Sequence, residues 1–452
     1  MAMKSFWKSI LLYLGLPAAS YAQFYSNFTE TGGLTTRSFT NQPSLEIQKT
    51  RWQASFFSIQ AEVLANTAAM RVSNLRNINA NFLRQNVLGT SELSSGQSRI
   101  NLRGPSLAFR LNPKLSMAIG TSTRFHTNYE NVDGRLLSEI GEIVKVPQQY
   151  PYVMSKESMH MNAAVFSEIN LSTSYLLFKN SVHSITGGLS LKYINGIANS
   201  AINVKELTGT IRRINSYLTA LNDATGGVTT RTSGTLFGDL NTNNLFKLNK
   251  ASFGASFGLQ YIYYGEGKEA KFTVGFSVSD IGTIRYKADS TYSKSYNVEI
   301  SNGYGLYFNN NFNNSTFSQT TKVFDKYPDF FSKTSSSSQT YALGLPTTLN
   351  IWSDYKFDQH FYTRLTAIVN LRQKDAAAMT LYGNSLICLS PRWEKGKFGI
   401  SLPVMFRSIS GLNAGLEARV GQLILGSNSI FNSAIGKSKQ LDFFIGISFP
   451  QK

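Results

Sequence analysis

Large apolar residues alternate with small or polar residues along most of this chain. In the last such stretch, Leu441 to Phe449, every odd position is large and apolar and most even positions are small or polar. A period of two gives a β-strand one apolar face and one polar face. The same alternation recurs at 106–111, 115–120, 184–193, 272–279 and 397–407. The pattern therefore predicts an all-β protein built from many two-faced strands.

The polar faces of these strands carry mostly Ser, Thr, Gly and Ala, which fit the concave inside of a closed barrel. A sheet on a soluble core would instead need long charged residues on its outer face. Aromatic residues form 13% of the chain, and those at strand ends suit the girdles found at membrane interfaces. We expect a transmembrane antiparallel β-barrel of roughly 14 strands, within about 12 to 16. A soluble all-β sandwich is the alternative.

The N-terminus has the features of a secretory signal peptide. Lys4 and Lys8 precede a short apolar stretch, and Ser20 and Ala22 are small residues in the positions that flank a cleavage site. We expect residues 1–22 to be removed by cleavage after Ala22. Residues 23–51 lack strand alternation and are a candidate plug in the barrel mouth, whereas residues 52–452 form the barrel.

Three segments depart from the strand pattern. Apolar residues at helical spacing predict short helices at 207–221 and at 136–144, the second ended by Pro147. We expect each helix to cap a loop or to belong to a plug. Residues 301–340 are rich in Asn, Ser and aromatic residues and are interpreted as a long surface loop.

The chain is strongly basic, with a formal net charge of +18. Its basic residues are scattered through alternating strands of an exported protein, so we do not expect it to bind nucleic acid. Strand parity places seven cations on the inner face as lumen-lining candidates: Arg110, Arg124, Lys192, Arg285, Arg364, Arg407 and Arg419.

The partners of these cations decide what they do. The clearest acidic residues on the inner face are Asp354 and Glu417. Cations without partners would favour anions, because a low-dielectric channel focuses their field. Alternatively, they pair with carboxylates of the plug or loops, such as Glu46, or lie in water at the mouth.

Little in the sequence favours catalysis. The four histidines are far apart, and the single Cys388 excludes both an intramolecular disulfide and a CxxC site. His126 is the best candidate because its parity points it inward, although a histidine bonded to its neighbours there is the simpler interpretation. Asp280, two residues before Gly282, is interpreted as a turn or bulge residue. We predict no enzyme activity, no metal site and no cofactor.

Several short motifs resemble an uncharacterised outer-membrane barrel family of the Bacteroidota, one defined by a domain of unknown function. They are Gly104-Pro105-Ser106, residues 188–196, residues 279–282, Leu345-Pro346-Thr347 and Ser390-Pro391-Arg392. This resemblance implies an outer-membrane location and a barrel fold, but no activity. The chain is more loosely similar to fatty-acid-transporter-type barrels, which have an N-terminal plug. Those proteins often begin with Asn-Pro-Ala, whereas this chain has Asn41-Gln42-Pro43-Ser44.

Together these features predict a passive channel or carrier in the cell outer membrane for a small hydrophobic or anionic solute. The alternative is a barrel that transports nothing and serves as an anchor or docking subunit of a surface-assembly or secretion complex. The expected partners are outer-membrane lipid and the phosphates of lipopolysaccharide, which arginines can bind bidentately. We also expect the C-terminal strand to bind the outer-membrane barrel assembly machinery, and a surface or periplasmic protein to be a further partner.

Overall fold

The computed structural model describes residues 52–71, 93–141, 150–215, 218–234, 250–265, 269–301, 303–308, 320–372, 380–436 and 438–450. The expected signal peptide and the candidate plug at 23–51 lie outside these residues and stay predictions. Within the described part of the chain, no helix is long and apolar enough to cross a membrane.

The described residues form 22 strands of one sheet, together with three short helices. In chain order the strands are β1 (Trp52–Ala65), β2 (Leu93–Arg110), β3 (Leu115–Asp133), β4 (Tyr152–Val153), β5 (Met159–Lys179), β6 (His183–Arg213), β7 (Thr219–Ser233), β8 (Ala251–Tyr263), β9 (Phe272–Lys287), β10 (Lys294–Ile300), β11 (Leu306–Tyr307), β12 (Phe331–Ser336), β13 (Thr340–Gly344), β14 (Thr348–Lys356), β15 (Phe361–Asn370), β16 (Leu386–Lys395), β17 (Phe398–Ser401), β18 (Val404–Arg407), β19 (Gly411–Ala414), β20 (Leu416–Val420), β21 (Leu423–Ser427) and β22 (Gln440–Pro450). The helices are α1 (Gly134–Gly141), α2 (Thr320–Lys326) and α3 (Ile430–Ile435).

The sheet closes on itself as an antiparallel barrel of 14 strands, which confirms the predicted fold and strand number. Closure is made by β22, which pairs antiparallel with β1 along most of its length. Two of the 14 barrel strands are interrupted, one made of β17 and β18 and the other of β19 and β20. The remaining twelve are β1, β2, β3, β5, β6, β8, β9, β14, β15, β16, β21 and β22.

The alternation seen in the sequence becomes an inner and an outer face. On β17 and β18, Phe398, Ile400 and Phe406 are exposed, whereas Ser401 and Arg407, at alternate positions, are buried. A belt of exposed apolar side chains runs around the barrel in the same way and includes Leu107, Ile119, Ile169, Leu171, Leu189, Leu191, Phe257, Ile351, Leu365, Ile387, Leu389, Ile445 and Ile447. A continuous apolar belt of this kind fits lipid rather than water.

The two rims of the barrel differ in their connections. At one rim, here called the short-turn rim, neighbouring strands are joined by tight turns such as 111–114, 180–182, 396–397 and 421–422. β1 also begins at this rim and β22 ends at it, since Gln53 pairs with Pro450. The opposite rim, here called the long-loop rim, carries the longer connections. One of them is the connection between β9 and β14, which includes β10 to β13 and α2.

Part of the sheet extends past the long-loop rim as a headpiece, defined here as the described residues within 134–165, 197–234 and 289–336. Its framework is the long strand β6, which pairs with β8 below Asn195 and with β7 from Asn199 onward. From there the sheet continues through β10 to β12, while β4 and β11 pair with the ends of β6 and β7.

The headpiece has an apolar core of its own. Tyr296 and Val298 of β10, Phe331 of β12 and Phe324 of α2 are all buried in one cluster with Met161 and Val165 of β5. On β5 the outward position Ile169 is exposed to the membrane side, but the outward positions Val165 and Met161 are buried. The outer face of the wall thus changes from a lipid-facing surface to the core of a domain outside the belt.

The headpiece corrects two predictions made for this region. The helix expected at 207–221 is wrong, because residues 207–213 belong to β6 and residues 219–221 to β7, and Ile211 pairs with Leu221 across the hairpin. The surface loop expected at 301–340 is wrong for its described residues, which form β11, α2 and β12 and contribute Leu306 and Phe324 to the core. The other predicted helix is present as α1, with Leu136 buried; residues 142–144 lie outside the described part.

One ion pair fastens α2 to the headpiece sheet and should respond to pH. Asp325 accepts hydrogen bonds from Lys294 at 2.5 Å and from Tyr296 at 2.8 Å. Burial alone would raise the pKa of Asp325, but these two donors and nearby positive charge hold that pKa below its ordinary value. A depressed carboxyl pKa stabilises the fold above the ordinary pKa, and the gain is lost as the pH falls through the folded value.

We therefore expect Asp325→Asn to lower the free energy of unfolding at neutral pH by less than about 1 kcal/mol, since the pair is partly exposed. Urea unfolding of the wild type and variant should give converging stabilities as the pH drops below the carboxyl range. Asp329→Asn, at an exposed position nearby, is the control and should change little at any pH. A cost of Asp325→Asn that persists undiminished in acid would contradict the assignment.

Candidate functional site: the barrel interior

The barrel interior is lined by small polar side chains, as its alternation predicted. Ser116, Ser172, Ser190 and Ser277 are all buried on the inner face, and the hydroxyls of Ser172 and Ser190 are 2.8 Å apart. Larger side chains, mostly charged, fill the space between them. They form three groups of ion pairs.

The first group is centred on Asp280 of β9. Its carboxylate accepts hydrogen bonds from Arg124 Nη1 at 2.8 Å and from Lys192 Nζ, so it joins β9 to β3 and β6. Arg124 Nη2 also lies 3.1 Å from Glu168 of β5. Two cations and two carboxylates therefore balance each other in the interior. A small cleft lies beside this group and is lined by Arg103, Ser122 and Arg124 among others.

The second group joins β14, β16 and β20. Both terminal nitrogens of Arg392 donate to Asp354 at 2.9 Å, and Arg392 Nε donates to Glu394 at 2.7 Å. Glu394 also accepts from Arg419 at 3.2 Å. The guanidinium of Arg392 lies 4.8 Å from the centre of the Tyr362 ring, which adds a cation–π contact.

The third group spans the closing seam of the barrel. Glu62 of β1 binds Arg407 of β18, and both side chains are almost fully buried. On the adjacent strand, Arg99 donates to Gln97 Oε1 at 2.8 Å. Buried pairs of this kind add little net stability when intact, but removing one partner leaves a buried charge uncompensated and costs about 3–5 kcal/mol.

The structure places the seven sequence-predicted cations in different settings. Arg124, Lys192, Arg407 and Arg419 are in the ion-pair groups, and Arg364 is also buried on the inner face. Arg110 is half-buried at the end of β2, next to the short-turn rim.

Arg285, near the end of β9, lies beyond a bulge, and its place on the lumen lining stays a prediction. It is exposed, whereas its neighbours Ile284 and Tyr286 are buried. The cause is a bulge: Asp280 and Gly282 have φ values of 59° and 139°, and the pairing of β9 with β8 shifts by one residue there. An extra residue in a strand exchanges the two faces beyond it.

The carboxylates that pair with these cations were the main omission of the sequence reasoning. Glu62, Glu168 and Glu394 come from barrel strands and not from the plug or loops, and all three are buried on the inner face. Strand parity could have placed them on the inner face: Glu168, for example, alternates with outward positions and is next to exposed Ile169. Asp354, which was expected on this face, is a partner of Arg392.

An inner cap fills the lumen towards the long-loop rim. We define it as residues 283–287, 340–345 and 380–383, which are the end of β9, β13 with Leu345, and part of the β15–β16 connection. The carbonyl oxygen of Tyr382 accepts from Gln97 of β2 at 3.1 Å, and the Tyr341 hydroxyl of β13 donates to Asn199 Oδ1 of β6 at 2.6 Å. Tyr286 donates through its hydroxyl to Val165 O at 3.1 Å. Hydrogen bonds to the wall thus hold each part of the cap.

Apolar side chains of the cap meet apolar side chains of the wall. We call this set the apolar lumen cluster: Ala164, Phe166 and Ile194 of the wall with Ile284, Tyr286, Leu343, Leu345 and Leu381 of the cap. Every member is almost fully buried. A barrel whose inner face is otherwise polar therefore contains one apolar section.

A model of one protein family matches residues 47–428, more than four-fifths of the chain. The chain belongs to the DUF5723 family of unknown function. This confirms the resemblance to an uncharacterised family that the motifs indicated, and it assigns no activity. No curated protein matches the chain.

Several solved barrels resemble this one over almost their whole length at very low identity. The toluene transporter TbuX of Ralstonia pickettii is 8% identical, with 96% of this chain and 99% of that one covered and a TM-score of 0.43. The toluene transporter TodX of Pseudomonas putida is 10% identical, with coverages of 97% and 96% and a TM-score of 0.36. The translocator domain of the autotransporter NalP from Neisseria meningitidis is 8% identical, with coverages of 90% and 91% and a TM-score of 0.32. Likenesses this weak carry no functional conclusion.

The histidines are dispersed in the structure. His126 is buried on the inner face, whereas His183 contacts Tyr261 and His360 contacts the backbone of Glu394. Within the described residues no three His, Cys, Asp or Glu side chains are grouped so as to hold a metal ion. The absence of catalysis stays a prediction.

Proposed function

We propose that this protein is a bacterial outer-membrane barrel that allows small hydrophobic solutes to cross when the inner cap moves aside. The observation that supports this most directly is the apolar lumen cluster, because an apolar section in a polar lumen has affinity for apolar solutes. The cap is held to the wall by individual hydrogen bonds, and each of these contributes only about 1 kcal/mol.

The anionic alternative has less support. It required lumen cations without partners, but Arg124, Lys192, Arg392, Arg407 and Arg419 lie next to buried wall carboxylates. Paired charges cancel most of each other's field, so they do not concentrate anions in the lumen. We therefore expect the resting protein to show no anion-selective steps in a planar lipid bilayer.

The orientation proposed for the barrel follows from its two rims. Outer-membrane barrels have short turns on the periplasmic side and longer loops on the cell surface. In this orientation the short-turn rim, where β1 begins and β22 ends, faces the periplasm, and the headpiece faces the outside. Solutes would meet the headpiece first and the inner cap second.

Dye uptake by gram-negative cells that express the protein tests this proposal. The lipopolysaccharide leaflet slows entry of N-phenylnaphthylamine, which fluoresces once it reaches phospholipid. Leu345→Asn introduces an amide into the apolar lumen cluster, and solute would have to desolvate it at a cost of about 1–3 kcal/mol. We expect this variant to lower the protein-dependent uptake about tenfold.

Tyr304→Asn is the matched control, because Tyr304 is 64% exposed on the headpiece, far from the lumen. It should leave uptake unchanged. Equal uptake by cells with and without the wild-type protein, or equal uptake by wild type and Leu345→Asn in correctly folded barrels, would overturn the transport proposal.

A docking subunit is the second candidate, and the headpiece is the observation that favours it. The headpiece is a domain with its own apolar core outside the lipid belt. A barrel that only lets solutes cross the membrane does not need such a domain. Its outermost strand, β12, pairs only with β10 among the described strands, and its residues after Phe331 are exposed. An edge strand of this kind can receive a strand from another protein.

The docking hypothesis predicts that a partner co-purifies from the native cells and is lost on Thr334→Pro. Proline removes a backbone donor at the β12 edge but leaves the apolar core in place. Deleting residues 301–340 would be a poorer test, because it removes core residues as well. Undiminished capture by Thr334→Pro would exclude this edge as the docking site.

A further inference from the structure

A shelf of aromatic side chains lies on the lipid-facing side of the barrel at the short-turn rim. The aromatic shelf, as we define it, consists of Tyr355, Phe357, Phe361, Trp393 and Phe398. Tyr355, Phe361 and Phe398 are exposed at outward positions of β14, β15 and β17, in line with the apolar belt. The rings of Tyr355 and Phe357 meet edge-to-face with their centres 4.9 Å apart, and Phe361 pairs across the sheet with Trp393. Aromatic residues at the end of an apolar belt mark the boundary between acyl chains and headgroups.

Two lysines lie at one end of the aromatic shelf, where a two-residue turn joins β16 to β17. Lys395 is the last residue of β16 and is exposed on its outward face, next to Glu394, which is buried on the inner face. Its cross-strand partner is Phe398 of the shelf. Lys397 is exposed in the turn itself. Both ammonium groups can therefore reach the headgroup layer while the ring of Phe398 stays against the acyl chains.

A third lysine lies at the other end of the aromatic shelf. Lys271, directly before β9, has its Nζ 5.2 Å from the centre of the Tyr355 ring and donates to Phe357 O at 3.3 Å. Tyr355 is on the same face of β14 as exposed Ile351 of the belt, so these contacts place the charge of Lys271 on the lipid-facing side. The aromatic shelf thus has a cation at each end.

Within the part of the chain that the structure describes, the carboxylates that neighbour these lysines in sequence have other partners. Glu394 binds two interior arginines from the opposite face of the wall. Asp358 accepts hydrogen bonds from two backbone N–H groups in the turn before β15. Glu269 binds Lys356. The charge of the three shelf lysines is therefore available to an anion in the lipid layer.

From this arrangement we infer that the aromatic shelf and its lysines bind anionic phospholipid, with the phosphates at Lys271, Lys395 and Lys397 and the acyl chains along the belt beneath the rings. Lysine ammonium groups bind phosphate as point charges, and the aromatic rings match the depth of the first chain carbons. The lipid belongs to the leaflet at the short-turn rim, which is the periplasmic leaflet in the proposed orientation. The binding itself does not depend on that orientation or on the transport proposal.

Native mass spectrometry of the full-length protein in detergent can measure this binding, with dioleoyl phosphatidylglycerol as the probe and phosphatidylcholine as the neutral comparison. The test variant is Lys271→Gln/Lys395→Gln/Lys397→Gln. We expect it to bind phosphatidylglycerol about tenfold more weakly or worse, since each basic residue at a membrane surface contributes about fivefold in affinity. Equal retention of the two lipids by the wild type would overturn the inference.

Two matched controls show whether charge at these positions is the cause. Lys205→Gln/Lys322→Gln/Lys333→Gln removes the same charge from exposed positions of the headpiece and should retain the lipid. Lys271→Arg/Lys395→Arg/Lys397→Arg keeps the charge at the shelf and should also retain it. An equal loss of lipid in the glutamine variants of the shelf and of the headpiece would refute the site. So would an arginine variant that binds as weakly as the glutamine variant of the shelf.

Two further measurements separate a lipid site from a general affinity for phosphate and from misfolding. Glycerol 3-phosphate, the headgroup without acyl chains, should not displace the lipid at equal concentration; displacement would refute a lipid site. Heat-modifiable gel mobility should show that all three variants fold. The shelf variant should leave the uptake of N-phenylnaphthylamine unchanged, so a failure of the lipid inference and a failure of the transport proposal give different results.

Discussion

Asp280→Asn should destabilise the barrel by about 3–5 kcal/mol, the cost of leaving a buried charge without its partner. Asparagine keeps the size of the side chain but removes the charge that binds Lys192 and Arg124. Glu168 still lies 3.1 Å from Arg124, so the loss falls mainly on Lys192, whose side chain is fully buried. The free energy of unfolding would be measured in urea, by tryptophan fluorescence and by the fraction of heat-modifiable protein.

Asp223→Asn is a matched control for this substitution. Asp223 also has a positive φ, 50° against 59° for Asp280, and it also binds an arginine, Arg212 at 3.3 Å. Its ion pair is largely exposed, however, so its loss should cost under about 1 kcal/mol. Backbone effects of replacing a left-handed aspartate by asparagine are common to both variants and cancel in the comparison.

A second substitution can show that charge is the cause. In the double variant Asp280→Asn/Lys192→Met, the lysine charge is removed together with its partner, and methionine fills a similar volume. We expect this variant to recover most of the stability that the single variant loses. If the single variant costs less than about 1 kcal/mol, or if the double variant is no better, Asp280 does not hold the interior charges together.

The sequence was a good guide to the fold because one physical requirement governs every barrel strand. Each strand must present apolar residues to lipid and small or polar residues to the interior, and this requirement leaves its period of two on segments such as Leu441 to Phe449. Closure then follows from the need to pair every edge, and an even strand number allows every neighbouring pair to be antiparallel. These arguments depend on residues that are close in sequence, which is why they succeeded.

The errors arose where local patterns have two meanings. Apolar residues at 207, 211 and 221 fit one face of a helix, but they also fit a hairpin in which Ile211 and Leu221 are cross-strand partners. The left-handed residues Glu206 and Asp223 lie in irregular parts of these two strands and shift the spacing. The length of the segment could not distinguish a helix from a hairpin, because β6 continues beyond the membrane belt into the headpiece and is longer than a strand that only spans the membrane.

The candidate site was harder to predict because its contacts are distant in sequence. Arg124 meets Asp280 across 156 positions, and Glu62 meets Arg407 across 345. Strand parity shows which way a side chain points, but not which strand lies opposite it across a lumen. It also becomes ambiguous beyond a bulge such as the one at Asp280 and Gly282, after which exposed Arg285 alternates with buried Ile284 and Tyr286.

Gly415→Ala should prevent the barrel from closing normally near its C-terminal seam. Gly415 links β19 to β20, and a Cβ placed there would lie 2.1 Å from Ser427 O and 2.4 Å from Asn428 Cα. These are backbone atoms of the neighbouring strand, so no side-chain rotation can relieve the clash. The β20–β21 pairing, which aligns Leu416 with Ser427, would have to separate.

We expect this single methyl group to cost about 3 kcal/mol or more, the upper range for forcing atoms into a packed site. Gly421→Ala is the control: Gly421 has a φ of 61°, but nothing lies within 4 Å of the added Cβ. Its cost should be only the strain of a left-handed alanine, about 1–2 kcal/mol. Refolding yield and urea stability of the two variants would separate close approach from backbone conformation. Equal effects would mean that β19, β20 and β21 can move apart, and that the barrel tolerates a looser seam than the contacts of Gly415 imply.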